Sequence, residues 1–201
     1  MQSAGAHWFD EAYYQRYYLD RKTSVADPQH LARLAAFVFG YLHYLRLPLA
    51  RVLDMGCGIG LWQPLVAQHL PAAHYQGVEF SQYLCERHGW QQGSVVDYVA
   101  DAPFDFVICQ GVLPYLAPRE LKAAIANLGR LCAGALYLEA VAREDYEAGT
   151  IDEELTDPRL HRHRASLYRR ALQPHFINLG GGLWLSRGAQ VPLFALETLD
   201  D

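Results

Sequence analysis

The sequence predicts a single α/β domain: a doubly wound, mostly parallel seven-stranded sheet with helices on both faces and a terminal antiparallel strand. Three observations predict it. Apolar runs of strand length alternate with helical patterns between residues 50 and 142, which is typical of parallel strands joined by crossover helices. The central runs are continuously apolar, as strands buried on both faces are. The chain has 201 residues, of which 51% are hydrophobic, enough for one buried core.

The N-terminal part of the chain is predicted to be helical and to lie outside the sheet. Residues 7–18, HWFDEAYYQRYY, are rich in aromatic side chains but have no clean helical period. A helix should begin at Pro28, with Asp27 as its N-cap, because both residues suit a first turn. It should run to about Leu47, since Pro48 cannot continue a helix.

The main domain is predicted to occupy residues 49–201, after an N-terminal helical or lid segment of residues 1–48. Ser81 is expected to cap one of its helices and Pro118 to open another. Strands are predicted at 50–55, 74–80, 90–96, 104–110 and 134–141, with helices at 61–70, 81–89 and 118–132.

The pattern changes after Ala142. Residues 143–158 are acidic and show no clear period, whereas residues 159–172 form a basic pattern that predicts a helix ending before Pro174. Residues 175–197 then indicate two strands joined by a turn containing glycine and serine, which gives the sheet its terminal antiparallel pair.

Composition and charge restrict the function classes. The net charge of −5 provides no basic field for nucleic acid or a membrane surface. The N-terminus lacks the pattern of a signal peptide, and no apolar run approaches the roughly 20 residues that span a bilayer. We therefore expect a cytoplasmic protein, monomeric or homodimeric, that acts without nucleic acid or a membrane.

No metal site is expected. The cysteines form no C-x-x-C pair, so buried, reduced thiols are the expected state. The histidines near the C-terminus have no adjacent pair of carboxylates, which favours solvated or structural roles over metal binding. The cysteines are Cys57, Cys85, Cys109 and Cys132, and the histidines are His161, His163 and His175.

A glycine-rich turn follows the first predicted strand in RVLDMGCGIGLW, residues 51–62. Gly56, Gly58 and Gly60 would permit positive φ angles and a close approach of a ligand to the backbone, at the N-terminus of the next helix. A dinucleotide fingerprint would need a glycine at Leu61. Asp54 would repel a pyrophosphate and would suit a ligand that carries an ammonium or hydroxyl group.

VLDMGCGIG resembles motif I of the class I (Rossmann-like) S-adenosylmethionine-dependent methyltransferases, and the residues that follow it resemble further motifs of that family. Glu79 in GVEFS stands where the family binds both ribose hydroxyls with an acidic residue, and a carboxylate can accept both bonds. QGSVVD has Ser94 where the family usually has aspartate, so adenine recognition would rest on Ser94 and Val95, with Asp97 ranked lower. FDFVICQGVLPYL resembles the fourth-strand motif, with Gln110 and Gly111 at its polar positions.

The resemblance covers most of residues 50–187, and its tail is similar to that of some small uncharacterised members. It implies a transferase that binds S-adenosyl-L-methionine and releases S-adenosyl-L-homocysteine. The implied cofactor-binding residues are Asp54, Gly56, Cys57, Gly58, Gly60, Glu79, Phe80, Ser94, Val95, Gln110 and Gly111.

The implied function is methyl transfer, by in-line displacement, to an oxygen or nitrogen of a small molecule. An alternative is a cofactor-binding regulatory or partner-binding protein without turnover. A nicotinamide-dependent oxidoreductase is a third reading, which Leu61 and Asp54 oppose.

The catalytic candidates lie near the ends of the fourth and fifth strands. Glu139 could act as a base or substrate anchor, or could pair with an arginine of the 159–170 helix, which is favoured. Tyr115 could line the pocket or simply pack. The tyrosines expected to cover the cofactor, or to pack against the helix after Pro28, are Tyr13, Tyr14, Tyr17 and Tyr18. The basic cluster that would favour an anionic substrate is Arg159, Arg162, Arg164, Arg169 and Arg170.

Overall fold

The computed structural model describes residues 5, 8–20 and 27–199. Strands β1 to β7 span Arg51–Met55, His74–Glu79, Gln91–Gln92, Phe104–Gln110, Cys132–Glu139, Phe176–Gly180 and Leu183–Ser186. Helices α1 to α7 span Glu11–Tyr14, Pro28–Tyr44, Gln63–His69, Gln82–His88, Pro118–Leu131, Arg143–Glu147 and Ala165–Leu172. The chain continues from α1 into a π-helical turn at Gln15–Leu19, and 3-10 turns occur at Leu113–Tyr115 and Ala195–Glu197.

The strands form one seven-stranded sheet in the order β3-β2-β1-β4-β5-β7-β6. Neighbours from β3 to β5 are parallel, and β7 is antiparallel to both β5 and β6. The predicted fold class is therefore confirmed, including the antiparallel last strand. The chain moves outward from β1 to β3 and then returns to place β4 beside β1, so the strand order reverses between β1 and β4, where such sheets bind ligands.

Alternating side chains of the central strands enter two separate cores, one on each face of the sheet. Val52 and Phe106 pack with Phe39 of α2, whereas Leu53 and Val107 pack on the other face with the apolar side of α5. Both sets are fully buried. Successive side chains of a strand point to opposite faces of the sheet, and both faces are covered here. The strands are therefore apolar throughout, which is why they could be recognised from the sequence.

Helix α2 ends at Tyr44, not near Leu47 as the position of Pro48 predicted. Arg46 adopts a left-handed conformation with φ of 56°. The N–H of Arg46 donates to the carbonyl of His43, and the N–H of Leu47 donates to the carbonyl of Leu42. These two bonds form a Schellman motif, which closes the helix before the proline is reached.

The third strand is shorter than predicted, because most of residues 90–96 is not paired. Only Gln91 and Gln92 join β2. The hydroxyl of Ser94 accepts a hydrogen bond from the N–H of Val96, and the carbonyl of Ser94 accepts one from the N–H of Tyr98. A serine that satisfies the following backbone groups favours a turn over a continued strand.

The basic helix was also predicted to begin too early: it starts at Ala165, not at Arg159. Asp157 accepts the backbone N–H of Arg159 and fixes a turn there. Glu144 of α6 accepts the N–H of Ala165 at 2.8 Å and so caps the first turn of α7. Helix α6 itself lies in the acidic stretch that showed no period.

The four cysteines are free thiols, as expected, and three of them are buried. Within the described residues, no helix has both the length and the apolar character needed to cross a membrane. The same residues contain no group of three potential metal ligands.

Candidate functional site

A cavity of about 520 Å³ lies at the carboxyl ends of β1, β2 and β4, where the strand order reverses. This volume falls within the range of roughly 300–1,000 Å³ for ligand pockets. Its walls come from the glycine turn, the end of β2, the turn after β3, the end of β4 and the N-terminal segment. The lining residues are Gly5, Trp8, Phe9, Tyr13, Tyr14, Tyr18, Met55, Gly56, Gly58, Glu79, Phe80, Gln92, Gly93, Ser94, Val95, Val96, Asp97, Gln110, Gly111, Val112, Tyr115, Leu116 and Glu120.

The three glycines of the turn after β1 all have positive φ angles, as their spacing predicted. Gly56 has φ of 78°, and a Cβ there would lie 2.3 Å from a methyl group of Val112. Gly60 has φ of 81°, and a Cβ there would lie 2.8 Å from the ring of Trp90. Gly58 differs, because a Cβ at its φ of 54° would meet nothing within 4 Å. Gly58 therefore turns an uncovered backbone surface toward the cavity, while the other two allow close packing.

Glu79 joins the end of β2 to the glycine turn. Its Oε2 accepts the N–H of Gly58 at 2.8 Å, and its Oε1 accepts the N–H groups of Phe80 and Ser81, both at 2.9 Å. The side chain lines the cavity although only 5% of its surface is exposed. Burial raises the pKa of Glu79, and these backbone hydrogen bonds oppose that shift.

Asp54 lies beneath the glycine turn and is not part of the cavity wall. It is 2% exposed, and its Oδ2 accepts the hydroxyl of Tyr75 at 2.7 Å. Burial raises the pKa of Asp54 to about 7; the hydrogen bond from Tyr75 lowers it and the charge of Glu79 raises it further. The predicted contact of Asp54 with a ligand is therefore not visible in this arrangement.

The turn after β3 and the end of β4 supply the polar groups of the opposite wall. Ser94, Val95 and Asp97 all border the cavity, so the structure brings both adenine candidates to the same place. Gln110 also borders it, and its side chain accepts the indole N–H of Trp62 at 2.6 Å. Gly111 has φ of 71° and, like Gly58, would place a Cβ in open space.

The N-terminal aromatic segment, residues 8–19, covers the cavity. Its tyrosines pack against Leu84 and Tyr83 of α4, together with Ile59 of the glycine turn and Trp90. The carbonyl of Phe9 accepts the hydroxyl of Ser81. No residue of α2 belongs to this aromatic cluster, so the expected packing against the helix after Pro28 is not the arrangement found.

Tyr13 of this segment, which is also hydrogen-bonded to Tyr18, takes part in a chain of hydrogen bonds that we call the hydroxyl chain. The hydroxyl of Tyr13 lies 2.8 Å from that of Tyr115, and Tyr115 donates to Oδ2 of Asp157 at 3.0 Å. Arg159 binds both carboxylate oxygens of Asp157, with the closest contact at 2.7 Å. The guanidinium carbon of Arg159 also lies 5.2 Å from the centroid of the Trp8 ring and 5.3 Å from that of Tyr13. The loop before α7 thus holds the N-terminal segment in place.

Glu139 forms no ion pair with an arginine of residues 159–170, contrary to the favoured expectation. Its Oε2 accepts the amide of Gln110 at 2.9 Å and the hydroxyl of Tyr137 at 3.1 Å. Glu139 does not border the cavity, whereas the other catalytic candidate, Tyr115, does. Of the two, only Tyr115 is placed to touch a ligand there.

The basic cluster is also used differently from the expectation. Arg159 pairs with Asp157, and Arg162 pairs with Glu153 at 2.6 Å while lying over the ring of Tyr146. No arginine, lysine or histidine of the described residues lines the cavity. The cluster therefore gives the cavity no anion-binding side chain.

Most predicted site residues meet at this one cavity; the predicted residues that do not border it are Asp54, Cys57, Gly60, Tyr17 and Glu139. Trp8 and Phe9 belong to the aromatic stretch predicted to cover the cavity, although sequence reasoning did not single them out. That reasoning missed Glu120 on the walls and Asp157 behind Tyr115. The aromatic residues carried a signal, since an aromatic stretch without a period must pack on something. Nothing in the sequence pattern indicated the role of Asp157, apart from its place in an acidic loop.

Comparison with known proteins finds a similarity over part of the chain. Residues 52–134 match a family model described as a methyltransferase domain. A search of curated proteins gave no match to this sequence.

Three solved structures share the fold. The structure of magnesium protoporphyrin IX methyltransferase (ChlM) from Synechocystis PCC 6803 with bound SAM is 20% identical, over 85% of this chain and 84% of that one, with a TM-score of 0.58. An S-adenosylmethionine-dependent methyltransferase from Clostridium acetobutylicum ATCC 824 is 10% identical over 89% and 97%, with a TM-score of 0.59. The plantazolicin methyltransferase BpumL, in complex with a pentazolic desmethylPZN analog and SAH, is 15% identical over 87% and 77%, with a TM-score of 0.59.

These similarities agree with the sheet order and with the cavity at its carboxyl ends. Residues 52–134 are similar to a methyltransferase domain, and the chain shares the fold of solved S-adenosylmethionine-dependent methyltransferases.

Proposed function

We propose that this protein binds S-adenosyl-L-methionine in the cavity and transfers its methyl group to an oxygen or nitrogen of a small molecule, releasing S-adenosyl-L-homocysteine. The observation that carries the proposal is the placement of Gly58 and Glu79 on one cavity wall, joined by a hydrogen bond, within a matched methyltransferase domain. S-adenosylmethionine supplies an electrophilic methyl group on a positively charged sulfur.

The donor set of the cavity fits this cofactor. Gly58 and Gly111 leave backbone surfaces uncovered, so a ligand can approach closely where a side chain would block it. The Oε2 of Glu79 accepts one backbone bond, which leaves it a lone pair for a ligand hydroxyl. Oε1 is already occupied by two N–H groups. A second ligand hydroxyl there would have to displace the Tyr14 hydroxyl, which lies 3.5 Å away.

In this proposal the remaining walls bind the adenine and exclude water from the reacting groups. Ser94 keeps its hydroxyl proton available, because the oxygen acts as an acceptor toward Val96. Asp97 is exposed on the same turn and is the second candidate for the adenine amino group. The N-terminal aromatic segment, as a lid, would exclude water from the reacting groups and hold the acceptor in line with the methyl carbon.

Turnover is the test that separates an enzyme from a cofactor-binding protein without activity. The purified chain would be incubated with S-adenosylmethionine and pools of small metabolites, and release of S-adenosylhomocysteine measured. We expect release above the buffer background with at least one pool. Tight cofactor binding with no release from any pool would favour the alternative, a regulatory or partner-binding protein.

A further inference from the structure

The direction of the hydroxyl chain can be assigned from its last member. Burial alone would raise the pKa of Asp157, but the hydrogen bonds from Arg159 and Tyr115 hold the pKa below its usual value. Asp157 is therefore ionised, and an ionised carboxylate can only accept hydrogen bonds. The one proton of the Tyr115 hydroxyl therefore goes to Asp157. The oxygen of Tyr115 must then accept from Tyr13, 2.8 Å away.

This direction leaves both phenols as acceptors toward the cavity. Tyr13 and Tyr115 line the cavity, and each has already given its only proton to the next group in the chain. Tyr18 is also hydrogen-bonded to Tyr13, and any lone pair that remains on the two oxygens can only accept a hydrogen bond. A ligand that meets this wall must consequently offer an N–H or O–H group.

The charges and rings around the cavity point to the same kind of ligand. Its ionisable carboxylates are Glu120 and the two already proposed to contact the cofactor, Glu79 and Asp97, and no basic side chain of the described residues lines it. Aromatic rings present a negative face that attracts cations, and the aromatic lining residues are Trp8, Phe9, Tyr13, Tyr14, Tyr18, Phe80 and Tyr115. A carboxylate or phosphate group placed against these rings would meet no basic side chain of the described residues.

Arg159 does not reverse this balance. Its guanidinium binds both oxygens of Asp157, so the pair adds no net charge behind Tyr115. Arg159 lies on the outer side of the wall, because it contacts the rings of Trp8 and Tyr13 but does not line the cavity.

We propose that the methyl acceptor is an amine, bound as a protonated ammonium against the aromatic rings and the acceptor oxygens of Tyr13 and Tyr115, with Asp157 as the positioning residue that fixes their direction. This inference rests on the proposed function and names its substrate class.

The chemistry of the two phenols agrees with an amine. Burial raises the pKa of both Tyr13 and Tyr115 above the ordinary tyrosine value, so neither is a phenolate at neutral pH. An alcohol holds its proton about as tightly as water, with a pKa of roughly 16, and would need a strong base. An ammonium has a pKa of roughly 10 and can lose one proton to solvent before the lid excludes water from the reacting groups. Its nitrogen then forms the bond to the methyl carbon, and the carbon–sulfur bond breaks with its electron pair kept by a neutral thioether.

Three probes that share one stem test this preference by binding alone. 2-Phenylethylamine, 2-phenylethanol and 3-phenylpropionate are titrated calorimetrically into the full chain at pH 7.5, with and without saturating S-adenosylhomocysteine. We expect the amine to bind tightest and the carboxylate weakest, by about tenfold or more between them. Equal affinities, tighter binding of the carboxylate, or no binding by the amine would overturn the proposal.

Variants of the loop show whether Asp157 sets the preference. Asp157→Asn removes the charge that holds the Tyr115 proton and leaves the Arg159 charge uncompensated. It should reduce the ratio of amine to carboxylate affinity by about tenfold. Glu153→Gln, which breaks the exposed ion pair with Arg162 in the same loop, should leave the ratio unchanged. An unchanged ratio in folded Asp157→Asn would contradict the positioning role.

The two proposals fail in different ways. If S-adenosylhomocysteine does not bind but the amine preference is found, the proposed function is wrong and the character of the cavity stands. If S-adenosylhomocysteine binds and the amine is not preferred, the substrate class alone is wrong.

Discussion

The backbone N–H of Gly58 donates a hydrogen bond of 2.8 Å to Oε2 of Glu79. This bond connects the glycine turn after β1 to the carboxylate at the end of β2, so two motifs that are 21 residues apart in sequence act as one wall. A ligand that contacts one of them will contact the other.

Replacing Glu79 should weaken cofactor binding. Glu79→Gln keeps the size of the side chain but removes the charge that strengthens a bond to a ribose hydroxyl, at a cost of about 1.5–3 kcal/mol, or roughly 10- to 150-fold in affinity. Glu79→Ala should cost more and lower stability as well, because three backbone N–H groups lose their acceptor. Calorimetry with S-adenosylhomocysteine measures the affinity.

The matched control is Glu86→Gln, on the exposed side of α4, where the carboxylate accepts only the amide of Gln82 in the described contacts. Its dissociation constant should equal that of the wild type. A folded Glu79→Gln protein with wild-type affinity would mean that Glu79 only organises the turn.

Two glycines with similar positive φ angles allow the effect of a substitution on stability to be distinguished from its effect on ligand binding. Gly58 has φ of 54° and Gly89 has φ of 73°, and a Cβ at either would meet nothing within 4 Å. Alanine at either position should lower the free energy of unfolding by about 1–2 kcal/mol. Only Gly58 borders the cavity.

Gly58→Ala should therefore also weaken binding of S-adenosylhomocysteine, whereas Gly89→Ala should not. Urea denaturation and calorimetry on both variants provide the comparison. Equal affinities in the two variants would show that no ligand approaches the backbone at Gly58.

The N-terminal aromatic segment should gain protection when the cofactor product binds. Trp8, Phe9, Tyr13, Tyr14 and Tyr18 line the cavity, so a ligand there adds contacts to a segment otherwise held by the rings of α4 and by the hydroxyl chain. Hydrogen exchange, with and without S-adenosylhomocysteine, should show slower exchange between residues 8 and 18.

Exchange in α2 serves as the internal reference, because α2 does not line the cavity, and should be the same in both samples. Identical exchange of the aromatic segment with and without ligand would leave it a packing role only. The aromatic stretch of the sequence also includes His7, which lies outside the described residues.

Asp54 should make stability fall as the pH rises. Its pKa is raised by burial from an ordinary 3.8 to about 7, so between those values the folded state binds more protons than the unfolded state. The free energy of unfolding therefore decreases from about pH 4 to about pH 7. The asparagine of Asp54→Asn cannot titrate. The free energy of unfolding of this variant should therefore fall by about 3 kcal/mol less than that of the wild type between pH 4.5 and pH 8.

Urea denaturation at the two pH values measures this difference, and Glu86→Gln should follow the wild-type curve. Parallel curves for the wild type and Asp54→Asn would show that Asp54 titrates normally in spite of its burial.

The sheet and the glycine turn could be predicted because they depend on local sequence. The strand at 104–110 matches β4 residue for residue, since a run such as FDFVICQ can bury both of its faces only within a sheet. Gly56, Gly58 and Gly60 indicated positive φ by residue type alone.

Other features depend on contacts that no local pattern reveals. Tyr13 and Tyr115 are 102 residues apart, and Tyr115 and Asp157 are 42 apart, so the hydroxyl chain exists only once the fold is formed. Arg46 closes α2 in a left-handed conformation that arginine rarely adopts, so its residue type gave no sign of the helix end. The arginines near the C-terminus indicated an anion site, but Arg159 and Arg162 have carboxylate partners within the same loop.

The central claim is that the cavity is built for S-adenosylmethionine, and a calorimetric titration of the folded chain tests it most directly. S-adenosylmethionine and S-adenosylhomocysteine should each bind at a single site, with NAD as the comparison ligand that should not bind, since Leu61 replaces the third glycine of a dinucleotide fingerprint. S-adenosylmethionine and S-adenosylhomocysteine should both bind more weakly to the Glu79→Gln variant. Absence of binding by either at millimolar concentration, or tighter binding of NAD, would contradict the account.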